Sequence, residues 1–84
     1  MYIVVGSATA AERIKRMTER SVGYPAYVVK TPQPIRRGGC SYSVKADDRA
    51  IGSVKQILRG SGISYKGIYT EHIKNGERVY HAVS

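Results

Sequence analysis

Tyr2-Ile3-Val4-Val5-Gly6 is the stretch of sequence that decides the fold. An apolar, mostly β-branched run that ends at a glycine is typical of a buried central strand. The chain then places Ala10, Ile14 and Met17 at helical spacing, which predicts a helix over about residues 9–21. A strand that leads directly into a helix indicates the first half of a β-α-β unit.

Two signals predict the ends of this helix. Thr9 is followed three residues later by Glu12, a capping-box pattern that predicts where the helix starts. Gly23 predicts where it stops. Pro25 then returns the chain to an extended conformation, and residues 26–30 have the β-rich composition of a second strand.

A third strand is predicted over residues 41–45, where polar and apolar side chains alternate. This alternation directs Cys40, Tyr42 and Val44 to one face of the sheet. If Val44 faces the helices, Cys40 is directed the same way.

An apolar stripe at helical spacing predicts a second helix. Asp47 or Asp48 can cap its start, and Gly60 and Gly62 end it. The stripe consists of Ile51, Val54, Ile57 and Leu58.

The remainder of the chain predicts a hairpin. Residues 63–73 have the composition of a fourth strand, Asn75-Gly76 is a strong hairpin-turn signal, and residues 77–83 return as a fifth strand. The order is therefore β-α-β-β-α-β with an added C-terminal strand. It predicts an α+β fold, a ferredoxin-like sandwich in which two helices cover one face of an antiparallel sheet, as a single domain over residues 1–84.

The composition restricts the classes of function. A chain of 84 residues supports one domain with a modest core. Its formal charge of +8 indicates attraction to an anionic partner such as nucleic acid or a phosphorylated metabolite. One cysteine allows no internal disulfide, and no run is long enough for a signal peptide or a membrane span. We therefore expect a cytoplasmic protein with no membrane association.

The run Pro34-Ile35-Arg36-Arg37-Gly38-Gly39-Cys40 contains the best candidate for chemistry. Only the thiolate of a cysteine is nucleophilic, and the guanidinium groups of Arg36 and Arg37 favour that form. Gly38 and Gly39 leave the sulfur open to approach. Alternatively, Cys40 is a small buried hydrophobic residue and the glycines serve only the turn.

The predicted topology gives this cysteine a second source of positive potential. The start of the third strand and the end of the first lie at the same edge of the sheet, so Cys40 is expected near the start of the first helix. The helix N-terminus, with Ser7 and Thr9, would then stabilise a thiolate or a bound anion. Alternatively, Ser7 and Thr9 only cap the helix and the arginines are solvated.

Four segments carry a resemblance to a known family: Gly6-Ser7-Ala8-Thr9-Ala10-Ala11-Glu12, Thr31-Pro32, Ile35 and Gly39-Cys40-Ser41-Tyr42-Ser43. They resemble the selenium/sulfur carrier-like family of small single-cysteine domains. The resemblance implicates Pro32 and Gly39 in the site and makes Cys40 the carrier residue, holding sulfur or selenium as a persulfide-type adduct. It implies sulfur or selenium donor and acceptor proteins as partners. The family pattern has glycine directly after the cysteine, where this chain has Ser41.

Other functions remain open on the residues alone. Ferredoxin-like sheets with basic flanks bind RNA, and Tyr2 on the first strand is a possible stacking residue, although the third strand lacks the expected aromatics. Weak binding of nucleic acid or phosphate needs only the charge. An uncovered sheet face with tyrosines and a free edge would suit a protein-interaction module or a homodimer.

A classical enzyme is less well supported than a carrier or adaptor. His72 and His81 flank the hairpin turn, but one cysteine and no clustered carboxylates give no metal site. The Asp47-Asp48 pair is explained by capping of a helix. The sequence therefore predicts no cofactor and no metal.

Overall fold

A computed structural model of the protein describes residues 1–36 and 41–83. This part of the chain forms five β-strands and two α-helices, which confirms the predicted order of elements. Two short 3-10 turns, Gln33–Ile35 and Asp48–Ala50, precede the third strand and the second helix. The elements are β1 (Tyr2–Val5), α1 (Ala8–Val22), β2 (Tyr27–Lys30), β3 (Tyr42–Lys45), α2 (Ile51–Ser61), β4 (Gly67–Lys74) and β5 (Glu77–Ala82).

The five strands form one antiparallel sheet in the order β2-β3-β1-β4-β5. The first strand is central, as its composition predicts: Ile3 lies between Val44 of β3 and Ile68 of β4. All four residues of β1 are buried. The protein is therefore a small α+β protein with two helices and a five-stranded antiparallel sheet.

Both helices pack on the same face of this sheet. Ile3, Val44 and Ile68 point from the sheet into a core that also contains Ile14 of α1 and Val54 of α2. Each of these five side chains is fully buried. Burial of a side chain of this size contributes about 1.5–3 kcal/mol, so this layer is the principal source of stability.

The first helix starts differently from the prediction. Ser7 is the N-cap, because its extended backbone leads into the helix and its Oγ accepts a hydrogen bond from the Ala10 amide at 3.1 Å. The capping box predicted at Thr9 and Glu12 is therefore wrong, since Thr9 already lies in the first helical turn. The helix ends as predicted at Gly23, whose φ of 73° is left-handed.

The opposite face of the sheet is partly covered, which corrects the expectation of an uncovered face. Tyr2 and Val4 of β1 are buried there beneath Ile35 of the first 3-10 turn. Tyr69 and Tyr80 pack around the same small cluster. This second core places the 3-10 turn Gln33–Ile35, which precedes the cysteine in sequence, on the side of the sheet away from the helices.

The C-terminal hairpin is confirmed. Asn75 and Gly76 have φ values of 52° and 78°, so both central residues of the turn are left-handed, as a tight two-residue hairpin requires. The fourth strand starts only at Gly67, because Ile63 is used in the helix-side core instead. Neither helix of the described chain is long and apolar enough to cross a membrane.

Candidate functional site at the cysteine-loop edge

Three connections between elements meet at one end of the strands, where β1 and β2 finish and β3 begins. Val5 at the end of β1 and Lys30 at the end of β2 both lie opposite Tyr42, the first residue of β3. The segment before β4 reaches the same edge, where the Lys66 amide donates to the Val4 carbonyl at 2.7 Å. The start of α1 and the two ends of the β2–β3 connection therefore lie together, as the predicted topology required. We call this part of the molecule the loop edge.

A cluster of hydroxyl groups closes the β2–β3 connection at its base. The Oγ1 atom of Thr31 lies 2.8 Å from the Oγ atoms of both Ser41 and Ser43. The Thr31 amide also donates to the Ser41 carbonyl at 3.3 Å, which extends the strand pairing by one step. All three side chains are buried. The residue that follows Cys40 in sequence is therefore held by both its backbone and its side chain.

Ser41 follows Cys40 directly, at the position where the resemblance described above implies a glycine. Its side chain is 7% exposed, and its hydroxyl belongs to the cluster with Thr31. The alternation along β3 places Ser41 and Ser43 on the sheet face away from the helices, together with Val4. The Ser41 hydroxyl thus has a structural partner, Thr31, on this face.

The other end of the connection is anchored by Arg36 and Ile35. A terminal nitrogen of the Arg36 guanidinium donates to the Thr31 carbonyl at 3.2 Å. Ile35 is 7% exposed and packs against Tyr2 and Val4. The Arg36 residue as a whole is exposed, and its guanidinium is held at the loop edge by this hydrogen bond.

Ser7 and Thr9 are both exposed at the N-terminus of α1. Ser7 acts as the cap, so its Oγ is occupied by the Ala10 amide. The first turn of the helix still presents backbone amides and the positive end of the dipole toward the loop edge.

Arg37, Gly38, Gly39 and Cys40 lie outside the described residues. The reactivity of Cys40 and the contribution of Arg37, Gly38 and Gly39 therefore stay predictions. The described chain contributes the residues on either side, Arg36 and Ser41, and both are tied to Thr31.

Lys66 is a cationic residue of the loop edge that the sequence reasoning missed. Its Cε lies 3.7 Å from the position that a Cβ at Gly6 would occupy. Lys66 is 26 residues beyond Cys40 in the chain, and no motif connects the two. Only the pairing of β4 with β1 brings it beside the turn that leads into α1.

Other polar groups singled out in the sequence lie away from this edge. The rings of His72 and His81 are in edge-to-face contact across the hairpin, with centroids 5.1 Å apart. Among residues 1–36 and 41–83 no group of three or more potential ligands could hold a metal ion. Asp47 caps the second 3-10 turn, which leads into α2, whereas the N-cap of α2 itself is Ala50; the predicted capping of α2 by Asp47 or Asp48 is therefore wrong. Asp47 also forms a two-point ion pair with Arg49, whose hydrogen bonds lower the pKa of Asp47 to about 2.

Tyr2 is not available as a base-stacking residue. It is 5% exposed, and its ring is in edge-to-face contact with Tyr80 at a centroid distance of 5.8 Å. Its hydroxyl donates to Glu71 at 3.3 Å. The prediction of an RNA-binding surface that depends on this tyrosine is therefore wrong.

These features define a class of protein: a small α+β protein with one cysteine in a connection whose two ends are fastened at a sheet edge. The profile of the family described as "Putative Se/S carrier protein-like" matches residues 1–70, and the chain belongs to this family. The match includes both ends of the β2–β3 connection and the whole of α1 and α2. The chain matches no curated protein and no solved structure.

Proposed function

We propose that this protein is a sulfur or selenium carrier, which holds a persulfide-type adduct on Cys40 and passes it between partner proteins. The observation that carries the proposal is the fastening of Arg36 and Ser41 to Thr31, on either side of the single cysteine. Membership of the family agrees with this role.

The proposed loading step is a transfer between two sulfur atoms. The Cys40 thiolate attacks the terminal sulfur of a donor persulfide, R–S–SH. A new S–S bond forms to Cys40, the donor S–S bond breaks, and the donor leaves as its thiolate R–S⁻ with the electron pair. The adduct is Cys40–S–SH, or the corresponding Cys40–S–SeH when the donor holds selenium. Transfer to the acceptor repeats the same exchange, so no external oxidant or reductant is consumed.

Positive potential at the loop edge supports the ionised form of the thiol and of the adduct. The exposed guanidinium of Arg36 and the N-terminus of α1, with Ser7 and Thr9, lie at this edge. Arg37 is the next residue in the chain, and Gly38 and Gly39 carry no side chains that could obstruct the sulfur. A nearby cation favours the thiolate and shortens hydrogen bonds to it.

Two finer features belong to the same proposal. The order of the first four strands and the placement of both helices on one face support a ferredoxin-like sandwich to which β5 is added, as one domain over residues 1–84. Thiol-based transfer without a disulfide partner suits a reducing compartment, so we propose a cytoplasmic carrier.

The test combines the ionisation of Cys40 with its loading. The rate of alkylation of the thiol is followed against pH, and we expect a midpoint below the ordinary cysteine value of about 8.5. Arg36→Gln should raise this midpoint. Lys74→Gln removes the same charge on the distant hairpin and should leave it unchanged. A thiol that reacts only after denaturation would contradict the proposal.

Loading is measured by mass spectrometry after incubation with a persulfide donor. We expect one added sulfur atom on the wild-type protein, and none on Cys40→Ser. A second incubation with an acceptor thiol should remove the added atom. Failure of the wild-type protein to gain sulfur under these conditions would exclude the carrier function.

A further inference from the structure

The outward side of α1 holds a row of three arginines. Arg13, Arg16 and Arg20 are spaced three and four residues apart, which places them on one side of the helix over a length of about 10 Å. All three residues are exposed. We call them the arginine row.

No hydrogen bond or ion pair joins the arginine row to any other residue of the described chain. Neither carboxylate of α1 forms an ion pair with it. Glu19 is bound by Lys15 at 2.9 Å and by the Ala26 amide at 3.1 Å, on the flank toward β2. Glu12 is exposed but forms no ion pair within the described residues.

A groove lies between α1 and α2, and Arg20, at the C-terminal end of the arginine row, lines it. Its volume is about 310 Å³. The neighbouring helix contains no acidic residue, and its Arg59 is exposed. The groove is lined by Met17, Arg20, Ser21, Gln56, Ile57, Gly60 and Ser61.

The remaining carboxylates of the described chain lie elsewhere. Glu71 is on the opposite face of the sheet, where it accepts from the Tyr2 and Tyr80 hydroxyls. Asp47 and Asp48 lie beyond β3, at the sheet edge opposite the loop edge, and Glu77 is on the hairpin. Much of the net charge of +8 is therefore displayed by the outer surface of the two helices.

We infer that the arginine row and the adjoining groove bind the phosphate backbone of a nucleic acid. A guanidinium group binds phosphate through two parallel hydrogen bonds, and a straight row of such groups matches an extended chain of phosphates. Among the described residues that line the groove, Met17 and Ile57 are apolar and Arg20 is the cation. The choice of a polyanion rests on charge, because three exposed guanidinium groups that form no ion pair within the described residues attract a chain of negative charges.

This binding is independent of base sequence, because phosphate contacts position a nucleic acid without reading it. It uses the helix side of the molecule, whereas an RNA surface on the sheet would require Tyr2, which is buried. It also requires no chemistry at Cys40. The inference therefore goes beyond the proposed carrier function and does not depend on it.

The test measures affinity against salt concentration with a fluorescently labelled single-stranded RNA and a DNA of the same sequence. We expect affinity to fall linearly on logarithmic axes as salt rises. The double variant Arg16→Gln/Arg20→Gln should lower that slope by about 1.4, since each phosphate contact on a single strand contributes about 0.7. Equal affinity for RNA and DNA would show that the protein contacts the phosphates that both share. Tighter binding of RNA would show that the protein also contacts the 2′-hydroxyl groups.

The matched control is Lys74→Gln/Arg78→Gln, which removes two exposed charges from the hairpin. It should leave the slope almost unchanged, and circular dichroism should show that both double variants are folded. An equal decrease of the slope in the two double variants would show that only the net charge of the protein matters, and it would overturn the inference. Absence of binding, or displacement of the RNA by polyglutamate at lower charge concentration than by unlabelled RNA, would overturn it too. Cys40→Ser should bind as the wild type does.

Discussion

The hydroxyl of Thr31 lies 2.8 Å from the hydroxyl of Ser41, ten residues later, and the Thr31 amide donates to the Ser41 carbonyl. Both side chains are buried. This double connection closes the segment that contains the cysteine and separates it from the regular pairing of β2 with β3. Because the Ser43 hydroxyl also lies 2.8 Å from the Thr31 hydroxyl, a single threonine hydroxyl is hydrogen-bonded to two serine hydroxyls.

Thr31→Val should therefore destabilise the protein more than the loss of one surface hydroxyl would. The valine keeps the shape of threonine but leaves the hydroxyls of Ser41 and Ser43 without this partner in a buried position. We expect a loss of about 1–3 kcal/mol in the free energy of unfolding, measured by urea denaturation. Thr31→Ser keeps the hydroxyl and should recover part of this loss. Equal losses in the two variants would show that the methyl group, and not the hydroxyl cluster, matters.

Thr18, on the helix side of the sheet, differs from Thr31 in the hydrogen bonding of its hydroxyl. It is fully buried in α1, and its hydroxyl has no hydrogen-bond partner within residues 1–36 and 41–83. Burial of an unsatisfied hydroxyl costs about 1–3 kcal/mol in proteins, and valine has a similar helix propensity. Thr18→Val should therefore raise the free energy of unfolding by about 1 kcal/mol.

The control for this prediction is Thr18→Ser, which keeps the hydroxyl and removes the methyl group. It should unfold at lower urea concentration than the wild type. A valine variant no more stable than the wild type would indicate that the threonine hydroxyl is satisfied in solution.

Glu71 should contribute to the loss of stability in acid. Its pKa is lowered chiefly by the hydrogen bond from Tyr80 at 2.8 Å, with smaller contributions from Arg78 and from the Tyr2 hydroxyl. Because the folded-state pKa lies below the unfolded value of 4.5, the carboxylate stabilises the fold above that pH. This contribution is lost as the pH falls from about 4.5 through the folded-state pKa.

Glu71→Gln should therefore flatten the dependence of thermal stability on pH below about pH 5. Glu77→Gln, at an exposed hairpin position whose carboxylate accepts no hydrogen bond from a described residue, should follow the wild-type curve. Parallel curves for Glu71→Gln and the wild type would mean that the two tyrosine hydroxyls do not stabilise the carboxylate.

Two glycines near the end of α2 should respond oppositely to alanine. Gly60 is helical with open space where a Cβ would stand, so Gly60→Ala should stabilise the protein by about 0.5–1 kcal/mol. Gly62 has equally open surroundings but a φ of 70°. Gly62→Ala should cost about 1–2 kcal/mol, because a Cβ disfavours the left-handed conformation. Shifts of the denaturation midpoint in the same direction for both variants would contradict this interpretation of the helix end.

Much of the fold could be predicted because local patterns and tertiary packing agree. The run from Tyr2 to Val5 is central and buried, and Asn75-Gly76 forms the turn expected of it. Apolar periodicity located both helices because each buries only one side. The N-cap of α1 lies two residues before the predicted one, since Ser7 and Thr9 are both good caps and the sequence does not choose between them.

The sequence predicts only those residues of the candidate site that are close to one another along the chain. Arg36 stands four residues before Cys40, so a pattern of neighbouring residues could find it. Lys66 could not be found in this way, because the pairing of β4 with β1 brings it to the loop edge. The position of Tyr2 on β1 indicates a sheet face but not that Ile35 packs over that face, so the sequence does not show that this ring is buried.

The amino-acid sequence by itself determined the order of the elements, the single cysteine, the excess of positive charge and the segments that resemble the carrier family. These are properties of composition and of neighbours along the chain, where spacing and backbone preference act directly. Tertiary structure alone decided that Thr31 joins Ser41 and Ser43, that Ile35 covers Tyr2, and that the arginines of α1 form no ion pair within residues 1–36 and 41–83. Contacts between distant segments depend on how strands pair and layers pack, and no local pattern contains that information.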